Sequence, residues 1–244
     1  MKNILLLLLA VFLFVSMLQA QFYIGPYVGF KSFGIKGASF ITYQGQQYDR
    51  ANTDGSKTAF NVGLSLGYQI IPEGTADNWY KLDLGIDASY SSVPFFETSF
   101  NNTNGAGSFS AAGLTGGGTK NFSFDIMPIH RLNIPKFQLL SPFAGVGLGL
   151  NLFSTSDLNV PPVGDAQAYT WTGNSEFKLG ILVFYGTVIR VNDLIQPYVI
   201  FKHYIPFGSE SQFTDDAKHG NAIIEDVPGY FSIAAGARFN FDTK

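Results

Sequence analysis

Few residues in the sequence could do acid–base chemistry. It contains three histidines: His130, His203 and His219. A histidine that acts as a general base needs a nucleophile within hydrogen-bond reach, and a serine two positions further on would be one way to supply it. Leu132, Ile205 and Asn221 occupy those positions instead. We therefore predict no catalytic residue and no enzymatic activity.

Four carboxylates near the end of the chain are candidate metal ligands: Asp215, Asp216, Glu225 and Asp226. Carboxylate oxygens suit Ca²⁺, but their spacing here matches no calcium-binding loop, so a solvated acidic loop is the better interpretation. The chain has no cysteine, which excludes disulfides and thiolate zinc sites. We predict no metal site and no cofactor.

Two glycine-rich stretches could be taken for nucleotide-binding sites. The GVGLG stretch at 145–149 lacks the G-x-G-x-x-G spacing, and no helix follows it. The GGGTK stretch at 116–120 is followed by Asn121, where a phosphate-binding loop needs Ser or Thr. Alternating small residues on one face of a strand explain the first stretch, and a flexible loop end explains the second.

Charged residues recur at alternate positions within otherwise apolar segments. Nine of them form this set: Lys31, Lys81, Asp83, Asp87, Asp125, Glu176, Lys178, Lys202 and Arg238. Inside a narrow barrel, charges of both signs could pair with one another, whereas each unpaired charge would cost several kcal/mol on burial. On a solvent-exposed face, the same residues would need no partner.

Composition limits the class of protein. The 244 residues are 46% hydrophobic, 16% aromatic and 14% charged, with a net charge of −3 and no block of Lys or Arg. Such a chain can bury ample apolar surface, so disorder is not expected. The charge argues against nucleic acid as a partner.

The first twenty residues have the pattern of a signal peptide. Lys2 precedes an apolar run over 4–15, and Ala20 is a small residue at a plausible cleavage point. The run is too short for a membrane-spanning helix, which needs about 20 apolar residues. We predict a signal peptide at 1–20 and an exported domain at 21–244.

Apolar residues alternate with small or polar ones through most of the exported chain, which is typical of strands. In one clear case, Phe60, Val62 and Leu64 alternate with Asn61 and Gly63. Eight such segments are found, at 22–30, 60–70, 80–90, 122–126, 143–152, 176–186, 196–207 and 230–241. The seventh is ambiguous, because both of its faces carry apolar residues.

The connections between these segments alternate in length. The long ones are 34–58, 94–118, 154–173 and 208–228, and the short ones are 72–78, 132–138 and 192–196. Strict alternation predicts that all the long connections lie at one end of the sheet.

Alternation alone does not say which face points outward. A soluble lipocalin-like barrel would turn its apolar face inward. We favour an apolar face in lipid. The opposite face carries charges of both signs, which could pair with one another, and many glycines, which suit a narrow interior. These glycines are Gly25, Gly29, Gly63, Gly67, Gly85, Gly145, Gly147, Gly149, Gly180, Gly186 and Gly236. Aromatic residues also gather near the strand ends, as at a bilayer interface: Tyr68, Trp79, Tyr80, Tyr90, Phe239 and Phe241.

With eight strands and alternating connections, residues 22–241 resemble the small outer-membrane β-barrel family of Gram-negative bacteria. The likeness is to the OmpA-barrel and OmpX type, and to the porin-family "outer membrane protein beta-barrel domain" proteins. The last segment, YFSIAAGARFNF, is similar to the aromatic-ending strand that the barrel-assembly machinery recognises in that family. The resemblance gives this role to Phe231, Ile233, Phe239 and Phe241, and it implies outer-membrane lipid and lipopolysaccharide as partners.

The sequence thus predicts an all-β fold, an eight-stranded antiparallel up-and-down transmembrane β-barrel preceded by a cleaved signal peptide. We expect a monomeric, non-enzymatic protein of the cell outer membrane. Its long extracellular loops would serve structural, adhesion or surface-interaction roles. Two alternatives remain open: a narrow porin-like channel, and a soluble barrel that binds an apolar ligand.

Overall fold

The computed structural model shows a chain built of β-strands. It describes residues 22–35, 39–43, 46–50, 55–70, 79–93, 100–102, 108–109, 115–116, 118–134, 139–160, 169–208, 210–213, 222–225 and 229–241. The predicted signal peptide lies outside these residues. Within them, no helix has the length and apolar character needed to cross a membrane.

Eight long strands form one closed antiparallel barrel. They are β1 (Phe22–Ile35), β2 (Gly55–Gln69), β3 (Tyr80–Val93), β4 (Thr119–Leu132), β5 (Leu140–Thr155), β6 (Ser175–Ile189), β7 (Ile195–Pro206) and β8 (Tyr230–Phe241). Each strand pairs with the next along the chain, and β1 pairs with β8 to close the barrel. The predicted eight-stranded up-and-down barrel is confirmed.

The register of the strands shows how strongly they tilt. Following the paired residues once round the barrel from Phe22 leads back to Ser32, ten residues further along β1. Such a stagger corresponds to a tilt of about 40° from the barrel axis. With a rise of about 3.3 Å per residue, each residue therefore advances roughly 2.5 Å along the axis.

The two faces of each strand differ in burial as well as in composition. On β3, Leu84 and Ile86 are 40% and 39% exposed, whereas Asp83 and Asp87 are 0% and 1% exposed. The other seven strands also expose large apolar side chains on the outside, and their inward side chains are mostly polar, aromatic or small, with a few buried aliphatic residues such as Leu182. A soluble barrel has the opposite arrangement, with its apolar face lining the interior.

The long connections contain short strands that the sequence did not predict. They are Ser39–Tyr43, Gln46–Arg50, Phe100–Asn102, Ser108–Phe109, Thr115–Gly116, Leu158–Val160, Tyr169–Trp171, Glu210–Phe213 and Ala222–Glu225. Six of them form one sheet that joins the connections after β1, β3 and β7. Three form a second sheet that joins those after β3 and β5. Strands of two to five residues carry too little alternation to be recognised in a sequence.

Most barrel strands run beyond their predicted segments, and β4 and β7 are also clarified in their inward residues. The fourth segment was predicted to end at Ile126, but β4 continues to Leu132, with Met127 and Ile129 buried inside. Inward apolar residues reverse the expected pattern there. In β7, which was ambiguous, Tyr198 and Ile200 point inward and are buried.

Candidate functional site

Three charged side chains meet at the centre of the barrel. The Nζ atom of Lys202, on β7, lies 2.9 Å from Asp87 Oδ2 on β3 and 2.9 Å from Asp125 Oδ2 on β4. Tyr27 of β1 donates a hydrogen bond to Asp87. Because β7 lies across the barrel from β3, these contacts span the interior. One lysine thus compensates two buried carboxylates, each of which would otherwise bear a large desolvation cost.

Lys31 lies nearer to the long connections and is held by neutral acceptors. Its Nζ atom donates to Ser89 Oγ at 3.0 Å, to Asn121 Oδ1 at 2.9 Å and to Ser123 Oγ. The same atom lies 4.4 Å from the centre of the Tyr230 ring. A buried ammonium group donates three hydrogen bonds at most, and this site accepts all three.

A third buried group lies nearer to the short turns, around Asp83. One of its oxygens lies 3.4 Å from Arg131 Nη2, and the other lies 3.6 Å from Arg238 Nη1. The Arg238 guanidinium also lies over the Tyr23 ring, 4.3 Å from its centre. Lys81 is buried at the same end. Arg131 was not predicted, although continuing the alternation from Asp125 by two residues at a time reaches it.

The predicted charged residues are therefore not all alike. Seven of the nine are at most 3% exposed: Lys31, Lys81, Asp83, Asp87, Asp125, Lys202 and Arg238. The other two, Glu176 and Lys178, lie at the end of β6 near the long connections, where they form an ion pair with each other and are partly exposed.

The inward glycines make room for inward aromatic rings. A Cβ atom at Gly63 would lie 2.2 Å from Tyr27 Cζ, and one at Gly67 would lie 1.9 Å from Tyr23 Cζ. Each ring stands directly opposite its glycine in the register. The same relation holds for Gly145 with Phe184, Gly186 with Phe143, and Gly236 with Tyr198. The rings thus cover the exposed backbone and fill the interior.

Aromatic side chains on the outer face form two rows. The upper row, near the long connections, consists of Phe30, Phe60, Tyr90, Phe122, Phe177 and Phe231. The lower row, near the short turns, consists of Phe22, Tyr68, Trp79, Tyr80, Phe239 and Phe241. Adjacent rings contact one another, with centres 6.0 Å apart for Phe30 and Phe60 and 5.3 Å apart for Phe22 and Tyr68. Five of the six aromatics predicted at strand ends fall in the lower row, and Tyr90 falls in the upper one.

The remaining candidates show no catalytic arrangement among the described residues. His130 and His203 lie on the outer face, and His130 Nδ1 is 2.7 Å from the Tyr80 hydroxyl. His219, Asp215, Asp216 and Asp226 lie outside the described residues, as does the side chain of Glu225. Among the side chains that are described, no three of His, Asp and Glu are grouped to hold a metal ion.

Solved structures share this architecture. The outer membrane protein OprG from Pseudomonas aeruginosa is 10% identical, with 92% of this chain and 96% of that chain covered at a TM-score of 0.54. A major outer membrane protein from Thermus thermophilus is 12% identical, with 91% and 99% covered at a TM-score of 0.54. The chain has the fold of an outer-membrane β-barrel. At these identities the likeness establishes the fold alone.

The predicted resemblance to outer-membrane barrels is thus confirmed at the level of the fold. No family model matches the chain, and no curated protein matches it in sequence. In this barrel, the residues predicted for assembly lie on the outer face of β8, where Phe231 and Phe241 are 43% and 49% exposed. Ile233 and Phe239 share that face.

Proposed function

We propose that the chain is an integral protein of the cell outer membrane, exported by residues 1–20 and held in lipid by the outer face of its barrel. The inverted burial carries this proposal: large apolar side chains cover the outside, while eight charged residues are buried inside. In water, this arrangement would expose an apolar patch far larger than soluble proteins tolerate. In lipid, closure of the barrel leaves no strand edge among the eight without a partner.

The spacing of the aromatic rows supports a bilayer as the surroundings. Tyr68 follows Phe60 by eight residues on β2, and Tyr90 follows Tyr80 by ten on β3. At roughly 2.5 Å per residue along the axis, the rows are about 20–25 Å apart. Outer-membrane barrels have an apolar band about 25 Å tall between aromatic girdles.

The contents of the interior favour a structural wall over a channel. Lys202 bridges Asp87 and Asp125 at the centre, and aromatic rings lie across the inward glycines. An eight-stranded barrel is only wide enough for side chains to fill it. We assign the buried charged residues a structural role, which is to link strands on opposite sides of the barrel, and we propose no enzymatic activity.

The long connections are the part of the molecule suited to interactions. They leave the barrel at one end and pair with one another through two small sheets. With the short turns facing the periplasm, these connections lie outside the cell, where they would serve adhesion or other surface contacts.

The proposed partners follow from this location. The outer face contacts outer-membrane lipid and lipopolysaccharide, and the barrel-assembly machinery recognises Phe231, Ile233, Phe239 and Phe241 on β8. A closed barrel offers no free strand edge for a second copy, which supports a monomer.

Gel mobility before and after boiling tests the proposal on protein from the outer-membrane fraction. A folded barrel in detergent should migrate differently from the boiled chain, and the unboiled form should be found in that fraction. Recovery of the protein in the periplasm or medium, with one mobility, would contradict a membrane location.

Planar-bilayer recording separates the structural wall from the channel. With the interior filled, we expect no regular conductance steps after insertion. Reproducible steps that respond to substitution of Lys202 would establish a channel instead.

A further inference from the structure

The outer face changes character just above the upper aromatic row. On six successive strands, from β1 to β6, the outward residue one step closer to the long connections than this row is polar. This polar row consists of Ser32, Thr58, Ser92, Lys120, Ser154 and Ser175. The apolar residues directly below it are Phe30, Phe60, Tyr90, Phe122, Leu152 and Phe177. In a bilayer the polar row therefore lies at the level of the lipid headgroups.

Part of the polar row lines a groove of about 370 Å³ at the ends of β3, β4 and β5. Ser92 and Ser154 stand on either side of Lys120 in the register, and all three line the groove. Thr155 and Ser156 also line the groove, but the Ser156 hydroxyl donates to the Gly118 carbonyl oxygen and the Thr155 hydroxyl is hydrogen-bonded to that of Thr119. The groove thus combines the ammonium group of Lys120 with the hydroxyl groups of Ser92 and Ser154.

Lys120 and Ser154 remain able to bind a ligand in the groove. Lys120 is exposed and forms no ion pair with the other side chains that the structure describes. Ser154 accepts a hydrogen bond of 2.8 Å from Ser175, which leaves its own proton free to be donated.

Two described carboxylates adjoin residues of the groove, since Asp157 follows Ser156 and Glu176 pairs with Phe153 beside Ser154, and both are already engaged. Asp157 accepts a hydrogen bond of 2.8 Å from the Gly173 amide. Glu176 is paired with Lys178. Neither is therefore an unpartnered carboxylate beside the groove, and the charge of Lys120 remains uncompensated among the described residues.

We propose that this groove binds the phosphomonoester headgroup of a membrane lipid, with Lys120 as the cation and the flanking serines as hydrogen-bond donors. A compact ammonium with hydroxyl donors suits a phosphate. A lipid is the occupant because Tyr90, Phe122 and Leu152 continue directly below the groove as an apolar wall for its acyl chains. The inference rests on the proposed membrane location and adds a specific site to it.

Native mass spectrometry of the detergent-solubilised barrel tests this site. The probes are phosphatidic acid and phosphatidylcholine with identical acyl chains. A dianionic phosphate held by one ammonium and two hydroxyls should be retained about tenfold more than the zwitterionic headgroup. Lys120→Gln should remove this preference, and Lys120→Arg should keep most of it. Thr58→Ala, in the polar row but outside the groove, serves as the matched control and should bind as the wild type does.

The outcomes separate this inference from the proposal on which it rests. A barrel that inserts into membranes, yet retains phosphatidic acid equally as wild type and as Lys120→Gln, overturns the site alone. Displacement of phosphatidic acid by an equal concentration of glycerol phosphate would show a site for free phosphate and overturn the lipid assignment. A chain that never inserts overturns both.

Discussion

Replacing Lys202 by methionine should strongly destabilise the barrel. In the native structure its Nζ atom lies 2.9 Å from a carboxylate oxygen of both Asp87 and Asp125. Methionine has a similar length but no charge, so the substitution leaves two buried carboxylates without a cation. Removing one partner of a buried ion pair costs about 3–5 kcal/mol, and here two carboxylates lose the same partner.

Urea unfolding in phosphatidylcholine vesicles measures this effect, with tryptophan fluorescence and gel mobility as two independent readouts. Lys120→Met is the matched control, since it makes the same change on an exposed lysine and should alter the unfolding free energy by about 0.5 kcal/mol or less. Adding Asp87→Asn and Asp125→Asn to Lys202→Met should recover much of the loss, because a wholly neutral centre no longer contains an unpaired charge.

Two results would refute this reasoning. The first is a Lys202→Met barrel whose unfolding free energy stays within about 0.5 kcal/mol of the wild type. The second is a triple variant that is less stable than Lys202→Met alone, since the carboxylates would then stabilise the barrel without the lysine.

Two further substitutions test the outer face and the packing of the interior. Leu66→Arg places a charge within the apolar band and should lower the free energy of unfolding by about 2–4 kcal/mol, whereas Thr58→Arg in the polar row should be tolerated. The yield of folded barrel in vesicles, measured by gel mobility, checks this. Equal yields for the two variants would show that the apolar band lies elsewhere. Gly63→Ala brings a Cβ to 2.2 Å from Tyr27 Cζ and should cost about 1–3 kcal/mol in urea unfolding. Ala144→Leu on the outer face is its control, and equal losses for both would show that the ring over Gly63 moves aside freely.

The strand pattern was predictable wherever one face is uniformly apolar. On β1, the alternation of Phe22, Ile24 and Val28 with Tyr23 and Tyr27 fixes which side chains point outward, and the structure agrees at each of them. The even number of strands and the alternating connections then predict closure and the common end of the long connections. These features follow from the period of the apolar pattern and from the number of strands, and both can be read from the sequence.

The interior was predictable only in part, because its filling depends on the register. The sequence shows that Gly67 and Tyr23 both point inward, but not that the ring of one covers the other. Leu182 and Phe184 also fill the interior, although the predicted lumen face was small or charged.

Arg131 was missed for a related reason. Buried Met127 and Ile129 interrupt the polar face of β4, so the predicted strand stopped before reaching the arginine. Folding of the barrel brings Arg131 into contact with Asp83, and the spacing of the two residues along the chain does not indicate that contact.

The pairing of β1 with β8 governs how the barrel can fold. Phe22 stands opposite Phe241. The backbone groups on one edge of β1 therefore have no hydrogen-bond partners until β8, the last strand, is in place. Forming contacts between residues this distant in the sequence costs chain entropy before the contacts contribute any stability, and this slows folding. A chain that ended before β8 would leave the edges of β1 and β7 unpaired in lipid, where no water can satisfy them. The barrel therefore has no unpaired strand edge only once its final strand has paired with both β1 and β7.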